Sequence, residues 1–203
     1  MSETEDFARC LTGRFAPFGT LTTGQVAELA RHYSLLVRWN KTLNLTSVAG
    51  LEDTVLRHYC ESLFLGLQLP AASVSVLDVG SGAGFPGIPL AILRPDCRFT
   101  LAESHQRKAV FLREATRHLG NVRVAANRAE ELRETFDWVV SRAVKWAAVL
   151  GLACAGRAGT RALLLGRDDA DEVLRQGEFE WLPPIPLPWG KRRVLVIGRA
   201  RST

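Results

Sequence analysis

From residue 74 onward, β-rich runs recur at 74–79, 98–102, 122–125, 136–141, 161–165 and 192–197. Stretches with helical spacing fall between them, at 89–93, 106–119, 129–133, 146–155 and 170–175. Strands joined through helices pair in parallel, so this alternation requires βαβ units around a parallel sheet. The last interval, 179–191, contains Pro183, Pro184, Pro186 and Pro188 and cannot form a crossover helix. The final strand is therefore expected to enter as an antiparallel hairpin partner. The expectation is an α/β fold with one antiparallel strand near its C-terminal end.

The first seventy residues read as helices. Val26, Leu29, Ala30, Tyr33, Leu36 and Val37 share one face behind a capping Thr22 or Thr23. A second face runs through Val55, Leu56, Tyr59, Leu63 and Leu67 and stops at Pro70. Two units are expected: a helical cap over residues 1–70 and an α/β domain over 71–203. A chain of 203 residues buries enough surface to fold without a metal or disulfide scaffold. Cys10, Cys60, Cys97 and Cys154 form no CxxC pair, so no metal site is expected. The longest apolar runs fall far short of the roughly 18 residues of a membrane span. The acidic start Met1-Ser-Glu-Thr-Glu-Asp does not resemble a secretory signal. A cytoplasmic protein without membrane contact is expected.

The densest chemical signal is Val76-Leu-Asp78-Val-Gly80-Ser81-Gly82-Ala-Gly84-Phe85-Pro-Gly87, set between the first strand and a helix. Alternate glycines remove the β-carbons from one side of the turn, so a ligand can lie against bare backbone. Gly82 to Gly87 formally satisfies GxGxxG, which leaves a dinucleotide open. Asp78 would repel a pyrophosphate yet can bind an ammonium, and S-adenosylmethionine carries an ammonium, a sulfonium and no phosphate. Asp78 thus favours the methyl donor. Glu103 ends the second strand, where a carboxylate can take both ribose hydroxyls. After the third strand, the backbone at Ala129 and Glu130 is placed to read an adenine edge. With Gly80, Ser81, Gly82, Gly84 and Phe85, these residues make up the expected donor site. The fold is then expected to be of the class I S-adenosylmethionine-dependent, Rossmann-like type, with a seven-stranded sheet.

Charge is distributed unevenly. Residues 1–70 carry six Lys/Arg against seven Asp/Glu, whereas residues 71–203 carry twenty against fourteen. Arginine supplies 22 of the 26 cations, and the stretch from Trp181 to the end has five cations and no acid. Arginine forks suit phosphate, so a polyanionic partner fits, although a GC-rich genome also inflates arginine.

Several segments together resemble one family, the small-subunit ribosomal RNA methyltransferase G family, also called glucose-inhibited division protein B. They are Trp39-Asn40-Lys41-Thr-Leu-Asn44-Leu-Thr46, Arg57-His58-Tyr-Cys-Glu61-Ser62-Leu, Asp78 through Pro89, Glu103-Ser104 with Arg107-Lys108 and Phe111-Leu112, Arg128-Ala-Glu130, and Ser141-Arg142-Ala143. The resemblance covers nearly the whole chain. It departs at Glu61, where the family commonly has aspartate, and at Gly166-Arg167, where a Lys-Gly pair is often found.

The resemblance implies transfer of a methyl group to N7 of a guanine in the helix-18 loop of 16S rRNA, with S-adenosylhomocysteine as by-product. Guanine N7 is unprotonated at neutral pH, so attack needs orientation rather than a general base. The residues agree: no cysteine directly follows strand four, as a C5-pyrimidine enzyme would need. Ser141-Arg142-Ala143 stands where an adenine-N6 enzyme would show Asn/Asp-Pro-Pro-aromatic. Arg128 and Arg142 are the expected positioning residues for the target nucleotide, Arg142 also facing the donor. Asn40 and His58 are candidate substrate contacts, with a helix-end cap and a packing histidine as their competing readings. Lys191, Arg192 and Arg193 are expected at the phosphate backbone. Trp39 and Trp138 are read as core. The expected partner is 16S rRNA or the 30S subunit, met by a monomer. A methyltransferase for another RNA or a small molecule, and a ribosome-assembly factor with a vestigial donor site, remain the alternatives.

Overall fold

A computed structural model describes residues 2–48, 50–152 and 159–201. The cap opens with α1 (Glu3–Phe15) and α2 (Thr23–Leu43). Each starts on a reciprocal capping box, Ser2 with Glu5 and Thr22 with Gln25, which satisfies two otherwise orphaned N–H groups per helix. Asn44 ends α2 in the left-handed conformation at φ 46°, which asparagine tolerates better than most residues. A third helical run joins α3 (Leu51–Thr54), a π-helical stretch (Val55–Cys60) and α4 (Glu61–Gly66). Sequence periodicity anticipates the last two helical runs but does not delimit α1.

The remainder alternates as expected: β1 (Ser75–Val79), α5 (Gly87–Leu93), β2 (Arg98–Ala102), α6 (Gln106–Thr116), β3 (Val122–Ala125), β4 (Trp138–Arg142), α7 (Trp146–Leu150), β5 (Thr160–Gly166) and α8 (Arg167–Leu174). Then come β6 (Phe179–Trp181), β7 (Ile185–Pro186) and β8 (Arg193–Ala200). The sheet runs β3-β2-β1-β4-β5-β8-β6, with β7 paired to β8 off this path. β1 to β5 pair in parallel, and β8 runs antiparallel to both β5 and β6. The path has seven strands with β8 as its antiparallel member, as expected, and the two-residue β7 makes the eighth.

The proline-rich interval forms no helix, as expected, and holds β6 and β7, both antiparallel to β8. Two expectations need correction. The helix expected at 129–133 is a single 3-10 turn, Ala129–Glu131. The helix expected at 146–155 reaches Leu150, and its final residues, with Cys154, lie outside the described ones.

The cap shares its core with the sheet's helical layer. Phe7, Leu11, Leu29, Leu36, Tyr59 and Leu63 belong to one buried cluster with Phe85, Ile88, Phe111 and Leu112. On the opposite face Val139, Val149, Val173 and Val196 form a second cluster. Trp138 is 7% exposed within a third, core as read, and Trp39 is half-buried at the edge of the first, packed on Phe111 at 5.8 Å. Among the described residues no helix is long and apolar enough to cross a membrane.

Candidate functional site

Strand order reverses at β1, whose neighbours β2 and β4 lie on either side of it. Helices depart in opposite directions from such a switch point, leaving a crevice at the carboxyl ends of the strands. A cleft of about 520 Å³ lies there. Its walls come from the loop after β1 (Gly80, Ser81, Gly82, Ala83, Phe85), from Glu103 after β2, from Arg142 and Ala143 at the end of β4, and from Arg193 at the start of β8. The cap contributes Asn44 to Val48 with Arg57 and His58, and α6 contributes Lys108.

The loop is built to hold its shape. Gly80, Gly82 and Gly84 all take positive φ, at 66°, 55° and 88°. A β-carbon on Gly82 would meet nothing nearer than the Gly80 carbonyl at 3.7 Å, so the open side of this residue offers main chain to a ligand. The Gly82 N–H donates to Glu103 Oε2 at 2.9 Å, and the His105 N–H donates to Oε1 at 2.8 Å. Glu103 is thereby oriented on the cleft wall while only 8% exposed.

Asp78 differs from its sequence reading. It is fully buried beneath the loop, where Oδ2 accepts the Gly87 N–H at 3.0 Å and pins the start of α5. Burial raises its pKa to about 7. It supports the loop from behind and is not among the residues lining the cleft, while its Oδ1 is buried without a hydrogen-bond partner among the described residues. Gly84 likewise sits outside the lining, packed against Ile88.

Two cap residues hold the loop from the other side. His32 Nε2 lies 3.0 Å from the Ala83 carbonyl, and its Nδ1 lies 2.9 Å from the Tyr59 hydroxyl. A carbonyl only accepts, so Nε2 carries the proton, and a neutral ring then accepts the Tyr59 hydroxyl at Nδ1. Burial lowers the His32 pKa to about 4, consistent with that neutral form. His58 stacks on Phe85 at 4.6 Å and reaches Thr46 Oγ1 at 2.7 Å. Burial, followed by the Arg142 charge, lowers its pKa to about 2, so it is neutral and supplies no cation. Its Nδ1 is buried without a protein partner among the described residues.

The third feature is an ion cluster. Glu61, with no exposed surface, accepts two hydrogen bonds from Arg193, at 3.1 Å from Nε and 2.8 Å from Nη2. Arg142 Nε stands 3.7 Å from the same carboxylate, an ion pair beyond hydrogen-bond reach, and has no hydrogen-bond partner among the described residues. Burial lowers the Arg142 pKa to about 10, which leaves it charged at neutral pH. The cleft lining therefore carries Arg57, Lys108, Arg142 and Arg193 against Glu103.

The other anticipated residues are placed elsewhere. Asn40 is not among the residues lining the cleft: its side chain donates to the Thr46 carbonyl at 3.1 Å and accepts the Thr46 N–H at 2.9 Å. Arg128 and Glu130 are exposed and Ala129 is buried, and none of the three lines the cleft. Lys191 is exposed, and Arg192 Nη2 donates to both Asp168 carboxylate oxygens, at 2.7 and 2.9 Å. Sequence reading missed His32, Tyr59 and the cleft positions of Arg57 and Lys108. Tyr59, Arg57 and Lys108 carried a signal as members of the matched segments, whereas His32 carried none. Among the described residues no cluster of His, Cys, Asp and Glu suits a metal.

Comparison with known proteins adds to this geometry. The sequence model of a family described as rRNA small subunit methyltransferase G matches residues 25–179. A ribosomal RNA small subunit methyltransferase G of Pelotomaculum thermopropionicum is 39% identical over 200 residues, covering 88% of this chain and 84% of that protein. One from Xanthomonas axonopodis pv. citri is 49% identical over 129 residues, covering 62% of this chain and 60% of that protein, less than two thirds of its length. A SAM-dependent methyltransferase structure from Aquifex aeolicus superposes with a TM-score of 0.59 at 13% identity, covering 73% of this chain and 93% of that one. At that identity the likeness shows the fold, which is that of the class I methyltransferases.

Proposed function

This chain belongs to the rRNA small subunit methyltransferase G family, and from that premise we propose that it methylates N7 of a guanine in the helix-18 loop of 16S rRNA. The donor in this reading is S-adenosylmethionine, which supplies a methyl group activated on a sulfonium. The single observation that carries the reading is the switch-point cleft, where a bare glycine backbone, an oriented carboxylate and four cations meet. The residues fit the donor. Glu103 is set to take a ribose diol, Gly82 admits a close approach, and the side chains of Arg142 and His58 line the same cleft. The backbone at Ala129 and Glu130 follows β3, the neighbour of Glu103's strand, and is the proposed adenine contact.

The reaction asks little acid–base work of the protein. The N7 lone pair forms the new bond to carbon while the sulfur–carbon pair returns to sulfur, and no proton moves. Orientation therefore supplies the catalysis. Arg142 and Arg193 are positioned to hold phosphate or the guanine O6 edge, and neutral His58 adds no charge against the cation that forms on the base. Exposed Arg128 and Lys191, with Arg192, extend the phosphate-binding rim.

The test is transfer of labelled methyl from S-adenosylmethionine to unmodified 30S subunits and to free 16S rRNA, mapped by N7-specific chain cleavage. The expected result is one cut in the helix-18 loop. Label at another base, or none while S-adenosylhomocysteine still binds, would overturn the substrate assignment. The second of these would favour a binding factor with a vestigial site.

A further inference from the structure

A second hollow, of about 440 Å³, adjoins the donor cleft at the carboxyl ends of β4 and β5 and shares two residues with it, Ala143 and Arg193. That volume is in the range of small-molecule sites. Leu164 and Leu165 are buried in its lining, and half-buried Trp146 lends a flat apolar wall backed by the second core cluster. Ala143 takes φ 60° where the two spaces meet, a left-handed backbone that a non-glycine residue adopts at some cost.

The polar lining is chemically specific. Lys145 and Arg193 are its cations and Asp169 its one carboxylate. Asp169 is exposed, and its side chain makes no hydrogen bond or ion pair among the described residues, whereas adjacent Asp168 is engaged by Arg192. A free carboxylate beside an aromatic wall discriminates between bases. Only guanine presents two adjacent donors, N1–H and the 2-amino group, that one carboxylate accepts together. Adenine and cytosine place a donor beside an acceptor, and uracil flanks its single N–H with carbonyls. Guanine's N7 lies on the far side of the ring from these two donors, with O6 between N1 and N7. A base gripped at Asp169 would leave N7 free on its far side, and Arg193 lines both this hollow and the donor cleft.

We propose that this hollow is the target-base pocket, with Asp169 selecting guanine through its N1–H and 2-amino group and Trp146 as the stacking wall. The assignment rests on the guanine-N7 reading above. It is tested with full-length protein on unmodified 30S subunits, using wild type, Asp169→Asn and Asp168→Asn. Each is assayed with guanosine and with inosine, which lacks the 2-amino group, at the target position. Both aspartates lie in the first turn of α8, so a role limited to complementing the helix N-terminus affects the two variants alike.

The expected result is a roughly 10- to 100-fold loss of kcat/KM in Asp169→Asn on guanosine, the discrimination typical of a bidentate base contact. S-adenosylhomocysteine affinity stays unchanged, and Asp168→Asn retains the wild-type preference. Inosine slows the wild type and adds little further loss in Asp169→Asn, because the lost donor has already lost its acceptor. Asp169→Asn working at the wild-type rate, or paying the full inosine penalty again, overturns the assignment alone. A wild-type protein that labels no guanine overturns the parent reading and this pocket with it.

Discussion

Asp78, His32 and His58 show how burial converts residue chemistry into pH dependence. His32 and His58 are held neutral down to about pH 4 and about pH 2, against an ordinary value of 6.5. Below about pH 6.5 the unfolded chain takes up protons that the folded chain refuses, so stability from these rings is lost as pH falls. Asp78 runs the other way. Its folded pKa is about 7 against 3.8, so its stabilising contribution is present at low pH and lost as pH rises through about 7. Asn in its place keeps an acceptor for the Gly87 N–H without the buried charge. The Tm advantage of Asp78→Asn over wild type is therefore expected to be larger at pH 7.5 than at pH 4.5, read by thermal unfolding of the donor-free protein. An advantage that does not grow with pH would contradict the buried placement of this carboxylate.

The same residues mark how much of the site is legible in sequence. The glycine run and Glu103 are, because a strand-turn-helix places them within one βαβ unit. The depth of Asp78 is not, since a carboxylate two residues ahead of the loop can point into the cleft or beneath it. His32 gives no signal either: it sits among apolar residues of α2, and its partner Ala83 is 51 positions away.

At the scale of elements, the cap and the sheet are tied through two buried polar links. His32 joins α2 to the glycine loop, and Glu61 joins α4 to β8. Removing one member of a buried ion pair strands the other charge, at a cost of about 3–5 kcal/mol. Glu61→Ala is expected to lose stability of that order in denaturant unfolding, while Glu61→Asp, which keeps the charge, loses less. His32→Ala leaves the Ala83 carbonyl and the Tyr59 hydroxyl buried without a partner, at about 1–3 kcal/mol for each unsatisfied group. It also weakens donor binding although His32 does not line the cleft. Unchanged donor affinity in a folded His32→Ala protein would show that the loop keeps its shape unaided.

Elements with strong periodicity, α2 and the central strands, are readable because their patterns run over whole turns and pleats. β6 is not. Three residues ahead of two prolines carry no periodic signal, and only pairing with β8 makes them a strand.

For the whole molecule, the formal net charge is +5, while Arg57, Lys108, Arg142 and Arg193 gather on the cleft. Cation-rich contact with RNA releases counterions, so the logarithm of the affinity for a helix-18 RNA or a 30S particle is expected to fall linearly with log salt. S-adenosylhomocysteine, with no phosphate, shows little such dependence. Filter binding of the RNA and calorimetry of the small molecule across 50–300 mM salt separate the two, and equal slopes would contradict a phosphate-directed rim. The arginine bias is plain in sequence, but its convergence on one cleft from α-helical cap, β4 and β8 requires the fold.

The switch-point cleft is the proposed donor site, with Glu103 as its ribose-binding carboxylate. Calorimetric titration of S-adenosylhomocysteine into the protein and into Glu103→Ala tests it most directly. One site per chain is expected, with affinity lowered by roughly 10- to 100-fold in Glu103→Ala, the loss of one or more hydrogen bonds to a charged group. Wild-type affinity in a folded Glu103→Ala protein would place the donor elsewhere and contradict the account.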